Sequence, residues 1–207
     1  MYNAYIKSEL INTLRYLVKI MMGNDEAHGY PHIERVERLA LWIASHYGNL
    51  VDRELLIIAT LLHDIGRFAY RANKVNHALI SAEIAENILK CLGYPKDRID
   101  LVKEIIKSHS YSLNITPKSI EAKILSDADK LDALGAIGIA RVFIHSARIN
   151  RSLKEALNHF KEKIVKLPNL LYTEVARKEA MRRVRVILEF IKNLEEELKF
   201  IEKVDKA

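Results

Sequence analysis

Apolar residues recur at intervals of three and four along almost the whole chain, a spacing that gathers them on one face of an α-helix. Seven glycines and four prolines in 207 residues are too few for an all-β protein, which needs turn residues at intervals of about 8–12 positions. The sequence therefore predicts an all-α fold. The predicted helices cover residues 3–22, 31–47, 52–65, 75–92, 96–109, 117–132, 134–149, 151–166 and 169–204.

Prolines and glycines mark the ends of these predicted helices. Each proline falls where a helix should begin, a position at which proline is tolerated: Pro31, Pro95, Pro117 and Pro168. Three glycines fall where helices should end: Gly48, Gly66 and Gly93. No repeat, low-complexity tract or linker interrupts the pattern, so we expect one domain over residues 1–207.

Composition excludes several classes of protein. Cys91 is the only cysteine, which excludes a disulfide framework and a thiolate metal cluster. No apolar run approaches the roughly 18–20 residues that span a bilayer, and the N-terminus does not resemble a signal peptide. We therefore expect a cytoplasmic protein that does not bind membranes. The absence of glutamine and the abundance of Ile, Lys, Arg and Glu are typical of a thermophile.

The last predicted helix carries a coiled-coil-like seam that leaves two interpretations open. Its apolar residues follow steps of four and three: Ala180, Val184, Ile187, Ile191, Leu194, Leu198 and Ile201. The seam serves either packing against the same chain or a homodimer. Basic residues at 177–185 give way to acidic residues at 195–197, which favours a solvated helix face over a nucleic-acid-binding stripe despite the net charge of +6.

Polar side chains interrupt the apolar faces at positions that should point inward. They continue stripes such as Leu55, Ala59 and Ile80, Ile84, Ile88, and they are His32, His63, His77, His109 and Asp129. A buried carboxylate needs a cation or a strong partner, because an unpaired buried charge costs several kcal/mol. A divalent ion shared by imidazoles and carboxylates satisfies that need, and this ligand chemistry suits Mn, Fe, Co or Zn.

The adjacent residues His63 and Asp64 pose a geometric problem. Neighbouring side chains in a helix point about 100° apart, so they do not easily meet one ion. The helix should end at Ile65 and Gly66, where the backbone can turn and bring both side chains together.

These residues lie in motifs that resemble a known family. HIERV contains His32, LLHDIGR contains His63 and Asp64, and SDADKLDALGAIGIAR contains Asp129. The ordered set resembles the HD superfamily of metal-dependent phosphohydrolases, and the distal motif resembles its nucleotide-directed members. The resemblance implies an all-α, helical-bundle HD domain with a long C-terminal helix, whose metal-binding core covers about 25–150 and whose helical extension covers about 151–207.

The resemblance also implies roles for individual residues. The ligands of one divalent ion would be His32, His63, Asp64 and Asp129, with Mn first and Fe, Co, Ni, Zn or Mg as alternatives. The catalytic groups would be Asp64, His109 and Asp132. The substrate-binding groups would be His28, His77, Lys130 and Arg141. Arg67 departs from the family pattern, and its positive charge makes it a further candidate for substrate binding. In some members of the family, histidines at the positions of His77 and His109 hold a second metal. Asp127 precedes Asp129 by two residues and points elsewhere, so it would only cap its helix.

The expected activity is hydrolysis of a phosphorylated small molecule, first of all a nucleoside triphosphate to the monophosphate and pyrophosphate. A nucleoside monophosphate phosphatase and a non-catalytic sensor of metal or nucleotide are the alternatives. Several nucleotide-directed members carry an acidic residue three or four positions after the His-Asp pair, where this chain has Arg67 and Phe68. Arg71 and Lys74 add positive charge suited to phosphate oxygens.

Overall fold

The computed structural model of the chain describes residues 2–67 and 75–204, with side chains from Ser8 onward. Its described part is helical and contains no strand, which confirms the all-α prediction. The α-helices are α1 Tyr2–Met22, α2 Tyr30–Ser45, α3 Arg53–Leu62, α4 His77–Cys91, α5 Lys96–His109, α6 Ile120–Asp132, α7 Gly135–Arg148, α8 Leu153–Glu162 and α9 Glu174–Val204. Short 3-10 helices cover Gly48–Leu50, Tyr111–Leu113 and Ile164–Leu170. Within the described residues, no helix has the length and apolar character required to cross a membrane.

The chain divides into two compact units, Met1–Asp129 and Lys130–Ala207. In the first unit, α3 packs against α1, α2, α4 and α5, and α4 packs against α5. Seven of the ten residues of α3 are buried, as expected for a helix that is surrounded on all sides. The Asp52 carboxylate caps α3 by accepting from the amide of Leu55 at 3.0 Å. This central helix delivers His63 and Asp64 from its C-terminal end.

In the second unit, α7, α8 and α9 pack against one another. Phe143, Phe160 and Phe190, one from each helix, form a cluster with ring centroids 5.7–6.0 Å apart. The buried residues of α9 end at Ile191, and Ile201 is more than half exposed. The first part of the predicted seam therefore packs on its own chain, and a homodimer through the remainder stays a prediction.

Helix boundaries differ from the predictions mainly around Pro168. This proline does not start the last helix, because it lies within the 3-10 helix Ile164–Leu170. Ile164, Leu167 and Pro168 are buried there, and a spacing of three suits a 3-10 helix. The last helix begins at Glu174, where the carbonyl of Thr173 accepts from the amide of Arg177. The predicted helix 151–166 correspondingly ends earlier, at Glu162. A capping box formed by Ser152 and Glu155 marks the start of this helix.

Candidate metal centre

Four histidines of the first unit lie at helix ends and turn their rings toward one another. His32 lies in the first turn of α2, His63 follows the last residue of α3, His77 begins α4 and His109 ends α5. Successive rings have centroids 5.0–5.5 Å apart in the order His32, His63, His109, His77. Three of them are buried, and His77 is mostly so. The inward stripes of four helices therefore meet in one polar cluster.

His63 and Asp64 enter this cluster together because α3 ends at Leu62 and the chain turns. The amide of Ile65 donates to the carbonyl of Leu62, and the amide of Arg67 donates to the carbonyl of Asp64 at 3.0 Å. His63 keeps helical backbone angles, φ −61° and ψ −33°, at the C-cap of α3. The structure nevertheless places Oδ2 of Asp64 3.7 Å from Nε2 of His63. The predicted helix 52–65 is thus three residues too long at this end, because α3 ends at Leu62, before the His-Asp pair.

Gly66 presses this turn against α4. A Cβ added at Gly66 would lie 2.5 Å from the amide nitrogen of Ser81 and 2.8 Å from the carbonyl oxygen of His77. The amide of Gly66 also donates to the buried hydroxyl of Ser81 at 2.9 Å. Close approach and hydrogen bond together fix the turn that carries Asp64 against the helix that carries His77.

The Asp64 carboxylate lies at the centre of the cluster and is fully buried. Its Oδ2 is 3.6 Å from Nε2 of His32 and 3.7 Å from Nε2 of His63. Its Oδ1 is 3.4 Å from Nε2 of His77 and 3.7 Å from Nε2 of His109. The two oxygens of one side chain thus face two different pairs of histidines.

Backbone carbonyls at the ends of α3 and α5 orient two of these rings. Nδ1 of His63 donates to the carbonyl of Thr60 at 2.7 Å, and Nδ1 of His109 donates to the carbonyl of Ile106. Both acceptors precede the histidine by three residues, where the last carbonyls of a helix lack an intrahelical partner. With the proton on Nδ1, Nε2 presents its lone pair to the cluster, as a metal ligand must.

Asp129 completes the group from α6. Its Oδ1 is 3.5 Å from Nε2 of His32, and its side chain remains 24% exposed. The side chain of Arg67 is 31% exposed and its Nε donates to Oδ2 of Asp64. The side chain of His77 is also partly exposed. Asp129, His77 and the neighbouring Arg67 are therefore the more exposed side chains at the cluster.

The residues present fit a divalent metal. His32, His63 and Asp129 each offer a ligand atom within 4.8 Å of the others, and so do His63, Asp64 and His109. Among the residues that the structure describes, Nε2 of His63, Nε2 of His109 and Oδ1 of Asp64 are buried without a hydrogen bond. Buried polar atoms in such a state are costly unless a further group satisfies them. A cation bound by imidazole nitrogens and carboxylate oxygens does so.

The protonation states also suit a metal. Burial lowers the pKa of His63 and that of His77 to about 4. Burial opposes ionisation of Asp64, but Arg67 and His63 hold the pKa of Asp64 well below its ordinary value. The imidazoles of His32 and His63 likewise hold the pKa of Asp129 below its ordinary value against the effect of burial. At neutral pH these groups are neutral imidazoles and ionised carboxylates, the forms that coordinate metals.

Other predicted residues lie elsewhere or have different partners. The ring of His28 is 6.4 Å from that of His32, at the edge of the cluster. In the second unit, Arg141 pairs with the buried carboxylate of Asp132 at 2.8 Å, and the ammonium of Lys130 lies 5.8 Å from the centre of the Tyr172 ring. The predicted roles of Lys130, Asp132 and Arg141 in catalysis or substrate binding stay predictions.

The capping role expected for Asp127 is wrong, because this residue lies well inside α6 and its side chain is fully buried. The helix runs without a break from Ile120 to Asp132, so no helix start is available for Asp127 to cap. Arg71 and Lys74 lie outside the described residues.

Sequence reasoning missed the residues that support the cluster. Ser81 lies one helical turn after His77 and therefore on the same face of α4, a spacing that could have identified it. Asn76 caps α4 through the amide of Ala78, and its Nδ2 donates to the hydroxyl of Ser112 at 2.6 Å. That contact joins the segment after His109 to the residue before His77, and no sequence pattern predicts it.

Comparisons with known proteins agree with this geometry. Residues 29–134 match the HD domain family, a span that contains all six members of the cluster. The chain is 30% identical to YpgQ, an uncharacterised protein of Bacillus subtilis, over 93% of this chain and 94% of YpgQ. The crystal structure of YpgQ in complex with ADP superposes with a TM-score of 0.75 over 93% of this chain and 96% of that one.

A second solved structure carries the same indication. An HD-superfamily hydrolase from Bacillus thuringiensis is 32% identical, with a TM-score of 0.71 over 93% of this chain and 98% of that chain. The family match, the sequence identity over almost the whole length of both chains and the cluster of histidines and aspartates agree with one another. The chain belongs to the HD domain family.

Proposed function

We propose that this protein is a metal-dependent phosphohydrolase that converts a nucleoside triphosphate to the monophosphate and pyrophosphate. The observation that carries the proposal is the buried cluster around Asp64. It contains two groups of three residues whose ligand atoms lie within 4.8 Å of one another: His32, His63 and Asp129, and His63, Asp64 and His109. Similarity to an HD-superfamily hydrolase supports hydrolysis, and the ADP complex of YpgQ supports a nucleotide.

His32, His63, Asp64 and Asp129 would hold one divalent ion, Mn²⁺ in the first place. Bound there, the ion would supply Lewis-acid activation of water and of a phosphoryl oxygen. The helix ends fix these ligands before substrate arrives, which avoids a cost of reorganisation during the reaction. Zn, Fe, Co, Ni and Mg remain alternatives because the ligand chemistry accepts them.

The residues around the ligands suggest how substrate would be handled. His109 and Asp64 are positioned to hold or accept the proton of an attacking water, since both have a buried acceptor atom directed into the cluster. Arg67, His77 and His28 lie along the more exposed part of the cluster and would contact phosphate oxygens.

A second metal at His77 and His109 is favoured by one observation. Oδ1 of Asp64 faces these two histidines, while Oδ2 faces His32 and His63. A carboxylate placed in this way can serve two ions, one through each oxygen. Titration with Mn²⁺ under chelator-controlled conditions measures the number of ions bound, and a second equivalent that disappears in His109→Ala supports the second site.

The test of the activity uses chelator-stripped protein resupplied with Mn, Co, Ni, Zn, Fe or Mg, one at a time, and a panel of nucleotides. Pyrophosphate release that depends on the metal supports the proposed reaction, whereas orthophosphate release indicates a phosphatase. Asp64→Ala and His63→Ala should lose metal and turnover together. Asp100→Ala, which removes an exposed carboxylate from α5, is the matched control and should retain both. Absence of release with every metal and nucleotide would contradict the proposal.

A further inference from the structure

Arg67 is a positively charged residue in contact with a member of the metal cluster. Its Nε donates to Oδ2 of Asp64, three residues earlier in the chain. The turn after α3 brings residues 64 and 67 close together, because the amide of Arg67 donates to the carbonyl of Asp64 at 3.0 Å. The contact is thus built into the local backbone, and it joins a fully buried carboxylate to a side chain that is 31% exposed.

The oxygen that accepts from Arg67 is also the oxygen directed at two predicted metal ligands. Oδ2 of Asp64 is 3.6 Å from Nε2 of His32 and 3.7 Å from Nε2 of His63. An ion held by these histidines and Asp64 would use that same oxygen. Arg67 and the metal are therefore two cations that compete for the negative charge of one carboxylate.

We infer that Arg67 tunes the metal site through Asp64: its guanidinium holds metal affinity down, and an anionic phosphate that engages the guanidinium raises that affinity. Arg67 is a positioning residue in this role, since it acts on the metal through Asp64. The consequence is that metal and phosphate bind more tightly together than either binds alone. The inference rests on the metal site of the proposed function and adds to it a coupling between metal and substrate.

Charge alone sets the size of the effect. A unit charge and a double charge that share one carboxylate repel each other even with water-like screening, by an amount worth on the order of tenfold in affinity. The side chain of Arg67 is 31% exposed, so solvent screens part of this repulsion and keeps the effect near tenfold. Removing the charge of Arg67 should therefore tighten metal binding, the opposite of what loss of an ordinary supporting residue would do.

The experiment measures the Mn²⁺ dissociation constant by calorimetry for the native protein, Arg67→Gln, Arg67→Lys and Arg15→Gln. Arg15 pairs with Glu37 away from the cluster, so Arg15→Gln is a matched loss of one paired arginine. We expect Arg67→Gln to bind Mn²⁺ on the order of tenfold more tightly, while Arg67→Lys and Arg15→Gln stay close to the native value. Thermal unfolding without metal verifies that each variant is folded.

A second arm tests the coupling to anions. Sulfate, a tetrahedral dianion, replaces chloride at constant ionic strength, and it should tighten Mn²⁺ binding by the native protein but not by Arg67→Gln. Equal or weaker Mn²⁺ binding by Arg67→Gln, or an equal effect of sulfate on both proteins, would overturn the inference and leave the proposed function standing. Absence of Mn²⁺ binding by every variant would overturn both.

Discussion

Replacing Gly66 by alanine sets two effects of one methyl group against each other. The backbone of Gly66 lies outside the left-handed region, so alanine by itself would stabilise the protein by about 0.4–1 kcal/mol through the unfolded chain. The added methyl carbon, however, would lie 2.5 Å from the amide nitrogen of Ser81 and 2.8 Å from the carbonyl oxygen of His77. Both neighbours are backbone atoms of α4 and cannot rotate away. The turn that carries Asp64 must therefore move.

The expected loss of stability follows from this contact. Overpacking at a close contact costs about 1–3 kcal/mol, and separating the amide of Gly66 from the Ser81 hydroxyl leaves a buried donor unpaired at a further cost of about 1–3 kcal/mol. After subtraction of the gain from the unfolded chain, Gly66→Ala should lower the free energy of unfolding by about 2–5 kcal/mol. Urea denaturation in the presence of a chelator measures the difference.

Gly93→Ala provides the matched control. Gly93 has a φ of +69° and nothing within 4 Å of an added Cβ, so this change introduces left-handed strain of about 1–2 kcal/mol without a clash. Gly66→Ala should in addition weaken Mn²⁺ binding, because it displaces the turn that carries His63 and Asp64, two of the proposed ligands. A Gly66→Ala protein as stable as the native one, with unchanged Mn²⁺ binding, would refute the role assigned to the close contact.

Arg141→Gln should lower the free energy of unfolding, measured by urea denaturation, by about 3 kcal/mol, because it removes the arginine that pairs with the buried Asp132. The double variant Asp132→Asn/Arg141→Gln is the control and should regain part of this stability, because no buried charge is left unpaired. Without metal, the free energy of unfolding should fall as pH drops from about 6.5 to 4, by up to about 3 kcal/mol for each of His63 and His77. The reason is that the pKa of each histidine is depressed in the folded protein, so in this range the unfolded chain binds protons that the folded one does not; a free energy of unfolding that does not change with pH contradicts this. Mn²⁺ at a hundredfold excess over its dissociation constant should stabilise the native protein by about 2.7 kcal/mol and leave Asp64→Ala unaffected in thermal unfolding.

The location of the cluster could be predicted because helical periodicity determines direction. His32 and His109 continue apolar stripes, so the helix alone specifies that they point inward. Gly66 indicates that α3 ends close to the His-Asp pair, although the helix ends at Leu62 rather than at Ile65. These inferences need only the geometry of one helix at a time.

The contacts between helices could not be predicted in the same way. The contact of Arg67 with Asp64 depends on the backbone conformation of the turn after α3. The residue pattern indicates where this turn lies but not which conformation it adopts. The approach of Gly66 to Ser81 depends on the packing of the turn against α4. Asp127 shows a related limit, because a buried aspartate inside a helix has the same local sequence appearance as a capping one. Pro168 lies in a 3-10 helix rather than at a helix start, since both settings accept the fixed φ of proline.

The helix ends explain why the chemistry gathers where it does. In the middle of a helix the backbone carbonyls accept from intrahelical amides, whereas the last turn offers carbonyls without an intrahelical partner. His63 and His109 each use such a carbonyl to fix Nδ1, so the groups that a helix end leaves unsatisfied also prepare Nε2 as a ligand. The guanidinium of Arg67 offsets part of the cost of burying the ionised Asp64, whereas His63 and His109 direct Nε2 lone pairs toward its oxygens and need a cation between them. The same arrangement that makes this carboxylate tolerable in the interior makes it the residue on which metal affinity should depend most.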